Sequence, residues 1–242
     1  MQILGTLPDG GEATAYAASS NGSVIVGWGR ASNGNECAFR WTETTGMQAL
    51  DGLNSSYALD VSDDGLEVAG YAGSPDGMRA FRWTTTGGMQ NLGVLPGDSF
   101  SIGYGISGDG QTVVGTSGGR AFLWTPSLGM VDLNAHLLSL GAELTGWTLE
   151  AADGVNADGS VIVGFGSLNG EMRAFLAEIA DGHSCLGDFT GDGIVGLDDL
   201  ARLLSNFGQT EMVYDDGDVN EDGVVDLGDL AAVLSRFGSV CP

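Results

Sequence analysis

The chain has 242 residues, 43% of them hydrophobic, and a formal net charge of −24, with eight Arg and no Lys. It is long enough to bury one or two cores. So few cations exclude binding to the phosphate backbone of DNA or RNA, and the acidity opposes anionic membranes.

Residues 1–180 read as an internal repeat. Cys37-Ala-Phe-Arg-Trp-Thr, Arg79-Ala-Phe-Arg-Trp-Thr and Arg120-Ala-Phe-Leu-Trp-Thr are followed by Gly46-Met-Gln-Ala-Leu, Gly88-Met-Gln-Asn-Leu and Gly129-Met-Val-Asp-Leu, and Arg173-Ala-Phe-Leu-Ala-Glu is a partial fourth copy. Upstream of each copy stands a hairpin signal, at Ser20-Asn-Gly, Asp63-Asp-Gly, Gly108-Asp-Gly and Ala157-Asp-Gly, and an alternating apolar run ending in Gly. Turns of this type between alternating runs predict β-hairpins. Each unit then has four short strands, in the second copy Tyr57–Val61, Leu66–Tyr71, Arg79–Thr84 and Met89–Leu92. Four strands in about 42 residues is the size of a β-propeller blade; a solenoid of hairpins is the competing architecture.

The first residues, Met1-Gln-Ile-Leu-Gly-Thr-Leu-Pro, match Met89-Gln-Asn-Leu-Gly-Val-Leu-Pro, a fourth strand, while the last unit stops after its third. The expectation is a mainly β fold: a small four-bladed propeller closed by the N-terminal strand pairing beside Ala174–Ile179. Closure would remove an exposed edge. A truncated larger ring and donation of the strand to a neighbouring molecule are the alternatives. An insertion at Asn134–Gly146 reads as a short helix capping the ring. The Ala-Phe-Arg/Leu-Trp and Gly-Met-Gln-x-Leu-Gly motifs resemble the bacterial extracellular HAF repeat family, with Cys37, Arg79, Arg120 and Arg173 where that family often has His. The resemblance implies export and a propeller-like fold, and it establishes no chemistry.

Within the repeats, Gly115-Thr-Ser-Gly-Gly119 matches a nucleophile elbow only in letters, because no helix follows it. His136 and His183 are the only histidines. Asp63, Asp109 and Asp158 read as turn-formers. Trp41, Trp83 and Trp124 recur once per unit, which favours packing between blades over sugar stacking; Trp147 would fill the place left by Ala177. Arg79, Arg120 and Arg173 could line one mouth of the ring, with pairing to nearby acids the simpler reading.

After a linker at 181–187, residues 188–242 form a second domain. Asp188-Phe-Thr-Gly-Asp-Gly-Ile-Val-Gly-Leu-Asp-Asp199 and Asp218-Val-Asn-Glu-Asp-Gly-Val-Val-Asp-Leu-Gly-Asp229 lie 30 residues apart. Each has oxygen ligands at positions 1, 3, 5 and 12 and Gly at position 6, the spacing of a twelve-residue EF-hand calcium loop with Asp at its end. Hard oxygen donors in this order suit calcium, which takes six to eight of them. The ligands would be Asp188, Thr190, Asp192, the Ile194 carbonyl and Asp199 in loop 1. In loop 2 they would be Asp218, Asn220, Asp222, the Val224 carbonyl, Asp226 and Asp229. Loop 1 has Gly196 at position 9 and is expected to bind more weakly. Leu197, Leu200, Leu203, Leu204 and Phe207, and Leu227, Leu230, Val233, Leu234 and Phe237, predict a short helix after each loop, ended by Gly208 and Gly238. No helix pattern precedes either loop.

A duplicated loop-then-helix with Asp at position 12 resembles a type I dockerin domain over about residues 186–240. That resemblance implies two bound calcium ions and docking onto a cohesin domain. Its usual Ser/Thr at loop positions 10 and 11 are replaced by Leu197-Asp198 and Leu227-Gly228, which leaves the partner open. Leu197 and Leu227 are read either as interface residues or, in preference, as the first members of the helix stripe. Cys185 and Cys241 bracket the module. A disulfide between them would clasp its ends, as terminal contacts do in that family, contributing about 4 kcal/mol by loop-closure entropy and implying an oxidising compartment. Two reduced thiols are the alternative, and Cys37 reads as a small packing residue.

No stretch reaches transmembrane length, and Met1-Gln-Ile-Leu lacks the features of an export signal. Calcium loops and a disulfide still argue for export, with a leader removed or lying outside this sequence. The chain thus reads as a secreted or cell-surface, non-enzymatic binding or structural protein. Its propeller would be attached through the calcium module to a cohesin-like or cell-envelope partner, with glycan as a candidate ligand. Two other readings stand beside it: a polysaccharide-acting enzyme anchored by the module, and a self-assembling surface or filament protein.

Overall fold

The computed structural model describes residues 2–50, 55–179, 186–190, 194–210, 212–220 and 222–239. The chain divides into two compact units, Met1–Ile179 and Ala180–Pro242. Among the described residues no helix is long and apolar enough to cross a membrane.

The first unit is four antiparallel sheets, each a meander in sequence order. The first holds β1 (Ala13–Ala18), β2 (Val24–Arg30), β3 (Glu36–Thr42) and β4 (Gly46–Ala49). The second holds β5 (Ser56–Val61), β6 (Glu67–Ser74), β7 (Gly77–Thr84) and β8 (Gly88–Asn91). In the third are β9 (Ser101–Ile106), β10 (Val113–Ser117), β11 (Arg120–Thr125) and β12 (Gly129–Asp132). The fourth has three strands only, β13 (Trp147–Val155), β14 (Val161–Leu168) and β15 (Glu171–Glu178).

Successive sheets pack on one another through alternating apolar positions. Val24 and Val26 meet Val61, Val68 and Phe81 between the first two. Ala69 and Ala80 meet Ile106, Val113 and Phe122 between the next two, and Val114 and Leu123 meet Leu149, Ile162 and Ala177 between the last two. Polar clamps repeat with the sheets. The Ala38 and Ala80 amides donate to Ser56 Oγ and Ser101 Oγ of the following sheet, at 2.9 and 2.8 Å. Arg40 Nε and Arg82 Nε donate to the turn carbonyls of Gly65 and Gly110, at 2.9 and 2.8 Å. At the hairpin tips the amides of Ser20, Asp63 and Asp109 donate to the carbonyls of Asp63, Gly108 and Ala157. The turn-former reading holds for Asp109 and Asp158, which accept their own turn amides from Gln111 and Ser160; in the second hairpin that role falls to Asp64, which accepts from Leu66 N, and not to Asp63.

The Gly that closes each apolar run has a steric cause. The first strand of every sheet carries a β-bulge, at Tyr16, Leu59, Tyr104 and Asp153. A Cβ on Gly27, Gly70, Gly115 or Gly164 would overlap the carbonyl oxygen of Thr14, Tyr57, Ile102 or Ala151 on that strand. The bulge presses one backbone onto the next, and only Gly fits beneath it.

The expected closing strand is not formed. Residues 2–12 carry no strand, and the fourth sheet has three. Leu7 is instead buried against Phe39, Trp41 and Met47 of the first sheet, with Leu4 beside it. The apolar side chains of this segment thus find their burial on the sheet that follows them in sequence. The insertion forms α1 (Leu133–Ser139), capped by the Asp132 side chain, which accepts from the Asn134 and Ala135 amides. It buries Leu133 and Leu137 against the third and fourth sheets. Trp147 does not fill the place left by Ala177: it pairs with Leu168 at one end of the fourth sheet, while Ala177 pairs with Ile162 at the other.

The second unit has two helices, α2 (Leu197–Ser205) and α3 (Leu227–Arg236), around Phe189, Val195, Leu203, Tyr214, Val219, Val225 and Val233. The unit interlocks. Val195 of the first loop bonds to Gly238 and Ser239 after α3, and Val225 of the second bonds to Gly208 and Gln209 after α2.

Candidate metal loops and a tyrosine cluster

In both loops the last Asp is fully buried and braces the loop from the first turn of its helix. Asp229 Oδ1 accepts from the Val219 and Asn220 amides at 2.8 and 3.1 Å, and Oδ2 from Asp226 N at 2.8 Å. Asp199 repeats the pattern with Phe189, Thr190 and Gly196, at 2.8, 3.0 and 2.8 Å. The Oδ2 bond in each ties the N-cap amide to the third helical residue and starts the helix where the loop ends; in α3 the Asp226 side chain reciprocates by accepting from Gly228 N, whereas Gly196 has no side chain to do so.

Loop 2 is described almost whole. Asp218 accepts from the amides of Asp222 and Gly223, Asn220 Oδ1 from Asp222 N, and Asp222 Oδ1 from Val224 N. The amides bend the chain around its oxygen donors, and Gly223 takes the left-handed conformation (φ +87°) at the sharp turn. Burial pushes the Asp218 carboxyl above its ordinary range, and the nearby charges of Asp229 and Asp222 push it the same way. No Arg pairs with Asp218 or Asp229 among the described residues. An all-oxygen set in which Asp218 and Asp229 are buried and Asp222 and Asp226 are exposed fits a hard divalent cation. Among the described residues, no three His, Cys, Asp or Glu side chains form a preformed metal cluster; the loop-2 set draws also on an amide and a carbonyl oxygen. In loop 1, Asp188, Thr190, Ile194 and Asp199 are described, with Thr190 Oγ1 donating to Asp188 at 3.4 Å. Asp192, and with it Cys185 and Cys241, lies outside the described residues.

The preferred reading of Leu197 and Leu227 as members of the buried stripe is corrected. They are 74% and 72% exposed at the first position of their helices, outside the core that Leu203 and Val233 occupy. Asp198 and Gly228 are exposed beside them. Leu204, Phe207, Leu234 and Phe237 are exposed too, so the duplication presents two matching sets of apolar side chains to solvent.

In the repeat unit, the tryptophans pack within and between sheets: Trp41 and Trp124 are buried, and Trp83 is half-buried against the core of the first two sheets. Arg82 lies over Trp124 at 5.9 Å. Arg120 pairs with Asp98 and Asp132 at 2.9 and 3.1 Å, Arg173 with Glu171, and Arg79 donates to the carbonyls of Asp76, Met78 and Ser99. These cations are thus engaged locally. Ser117 is buried in β10, where Oγ donates to Asp98 and accepts the Leu95 amide.

Sequence reasoning missed a tyrosine cluster. Four of the chain's five tyrosines gather where the first strands of the first three sheets meet. Tyr57 and Tyr71, directly paired across β5 and β6, stack at 4.9 Å, and Trp28 tilts against Tyr57 at 5.8 Å. The Tyr57 hydroxyl donates to Glu36, and that bond, more than burial, raises its pKa. Tyr16 and Tyr104 lie within electrostatic reach of Tyr71, and Asp153 of Tyr104. Tyr16, Tyr104 and Asp153 are bulged residues, so the bulge aims them, as bulges commonly do beside sites. The available signal was their shared position four residues before each hairpin turn glycine's tripeptide. The rings offer flat apolar faces, with hydroxyl and carboxylate oxygens around them.

No family model matches the chain, and no curated protein matches it. Solved structures similar to it include TolB from Acinetobacter baumannii (16% identity, TM-score 0.44, covering 69% of this chain and 43% of that one). A second is a putative TolB from Agrobacterium tumefaciens (18%, 0.46, 69% and 58%). A third is hydrazine synthase from Kuenenia stuttgartiensis (11%, 0.36, 68% and 58%). The chain thus spans about half the length of these proteins, and likenesses this distant carry no inference about ligand or partner.

Proposed function

We propose that this chain is an exported, non-enzymatic binding protein, in which a propeller-type repeat unit carries the recognition surface and the C-terminal unit is a calcium-locked, dockerin-like attachment module. One observation carries the reading: the two loops brace Asp199 and Asp229 by the same three amide bonds, 30 residues apart. Asp218, Asn220, Asp222, the Val224 carbonyl, Asp226 and Asp229 would hold one calcium ion. Asp188, Thr190, Asp192, the Ile194 carbonyl and Asp199 would hold the other. Bound calcium would neutralise the crowded carboxylates and oppose unfolding of the module. The exposed pairs Leu197-Asp198 and Leu227-Gly228 would face a cohesin-type or cell-surface partner. The tyrosine cluster is the recognition surface we assign to the repeat unit, and flat rings beside hydroxyl and carboxylate oxygens suit a sugar.

At free calcium 1000 times the dissociation constant, each site stabilises the module by about 4 kcal/mol. All five tryptophans lie in the repeat unit, so their fluorescence follows that unit alone, while amide exchange follows the helices of the module. EDTA is expected to abolish amide protection in α2 and α3 and to leave the tryptophan melt unchanged. Protection that survives EDTA would overturn the calcium reading.

A further inference from the structure

We propose that the free edge of β15 takes residues 2–4 of a second copy of this chain as the fourth strand of the last sheet. In each complete sheet the third strand meets a four-residue strand in one register. Phe39 lies opposite Ala49 and Trp41 opposite Met47; Phe81 opposite Asn91 and Trp83 opposite Met89; Phe122 opposite Asp132 and Trp124 opposite Met130. In the first two sheets the pairing ends in a Leu amide donating to the Ala of the third strand, Leu50 to Ala38 at 2.8 Å and Leu92 to Ala80 at 2.9 Å. Leu95, three residues after Leu92, then seats the chain in the core beside Phe122, Trp124 and Met130.

Gln2-Ile3-Leu4-Gly5-Thr6-Leu7-Pro8 has the pattern of Gln90-Asn91-Leu92-Gly93-Val94-Leu95-Pro96. Its anchoring half is in place, since Leu7 lies against Phe39, Trp41 and Met47 as Leu95 lies against their equivalents. Its strand half is unpaired, with Ile3 87% exposed. The complementary defect is on β15, which carries Ala174-Phe175-Leu176, pairs with β14 alone, and leaves Met172 and Leu176 71% and 62% exposed. The repeat fixes the register: Ile3 opposite Phe175, Gln2 opposite Leu176, and the Leu4 amide on the Ala174 carbonyl.

The donor is a second copy because the chain's own ends are not brought together. The tip-to-tip bonds run from the first sheet to the fourth and stop there; among the described residues no such bond returns from Ala157 to the first sheet. One copy therefore presents the strand at one end and the acceptor edge at the other. That is a head-to-tail contact, which closes into a ring or continues as a filament. This inference does not depend on the calcium reading.

The test mixes two single variants of the full chain, Ile3→Cys and Phe175→Cys, under oxidation, with the linked peptides mapped by mass spectrometry so that native cysteines are told apart. A 3–175 link in a species of two chains or more is expected. Light scattering should show mass rising with concentration. Ile3→Pro should abolish the rise while leaving the tryptophan melt unchanged. A single-chain 3–175 link in the double variant would show that the chain's own strand closes the sheet and would overturn the proposal. A mass of one chain at every concentration, without a mixed link, would do the same.

Discussion

Single carboxylates hold both units together, each by accepting backbone amides. Asp229 serves three of them, and its replacement by Ala leaves three buried or half-buried donors without their acceptor. Bonds to a charged group contribute about 1.5–3 kcal/mol each. Asp229→Ala should therefore cost the module about 3 kcal/mol or more, read by amide exchange during denaturation at saturating calcium. In the repeat unit Asp60 ties two sheets, accepting from Val61 N in its own strand and from Ile106 N of the third sheet at 3.0 Å. Burial raises its pKa in spite of these bonds. A carboxylate whose folded pKa is raised penalises the fold when ionised, above the folded pKa, and the penalty disappears as pH falls below the unfolded value. Asp60→Asn keeps one acceptor oxygen and removes the charge. Its NH2 is set against the other amide and costs that bond, so the test is the pH trend: stability relative to the parent should be higher at pH 7 than below about pH 4, measured as the difference between two urea titrations.

At the scale of elements, the bulge and the glycine facing it act as one device, present in all four sheets. Gly70→Ala would force Cβ onto the Tyr57 carbonyl, with backbone on both sides unable to yield. The expected cost is about 3 kcal/mol or more, read from the tryptophan melt, with Gly11→Ala as the control at an open position. The apolar runs ending in Gly were legible as hairpin strands from alternation alone. The reason for the Gly was not, because the bulge is a property of the neighbouring strand's register. The helices show a similar division. Leu203 and Val233 were legible as stripe residues and are buried; Leu197 and Leu227 fit the same stripe and are exposed. Position in a helical pattern does not reveal where the loop lets the helix begin, and the first residue of each helix lies outside the core. Leu197→Ser and Leu227→Ser should change module stability by no more than about 0.5 kcal/mol, measured by denaturation, although both replace a large apolar side chain.

Across the molecule, the sequence determined what local chemistry determines. The repeat, its hairpin turns, the alternation of its strands and the ligand spacing of the two loops are all carried by residues a few positions apart, and the four sheets and two helices stand where those patterns put them. Tertiary structure decided the rest. Whether Gln2–Leu4 pairs with β15 depends on how far four sheets turn around one another, a sum of small rotations written in no single segment. The apolar anchor Leu7 found its core, while the strand before it did not. The tyrosine cluster has the same origin. Its members lie on β1, β5, β6 and β9 and become neighbours only because cross-sheet packing brings those strands together and bulges aim two of the rings.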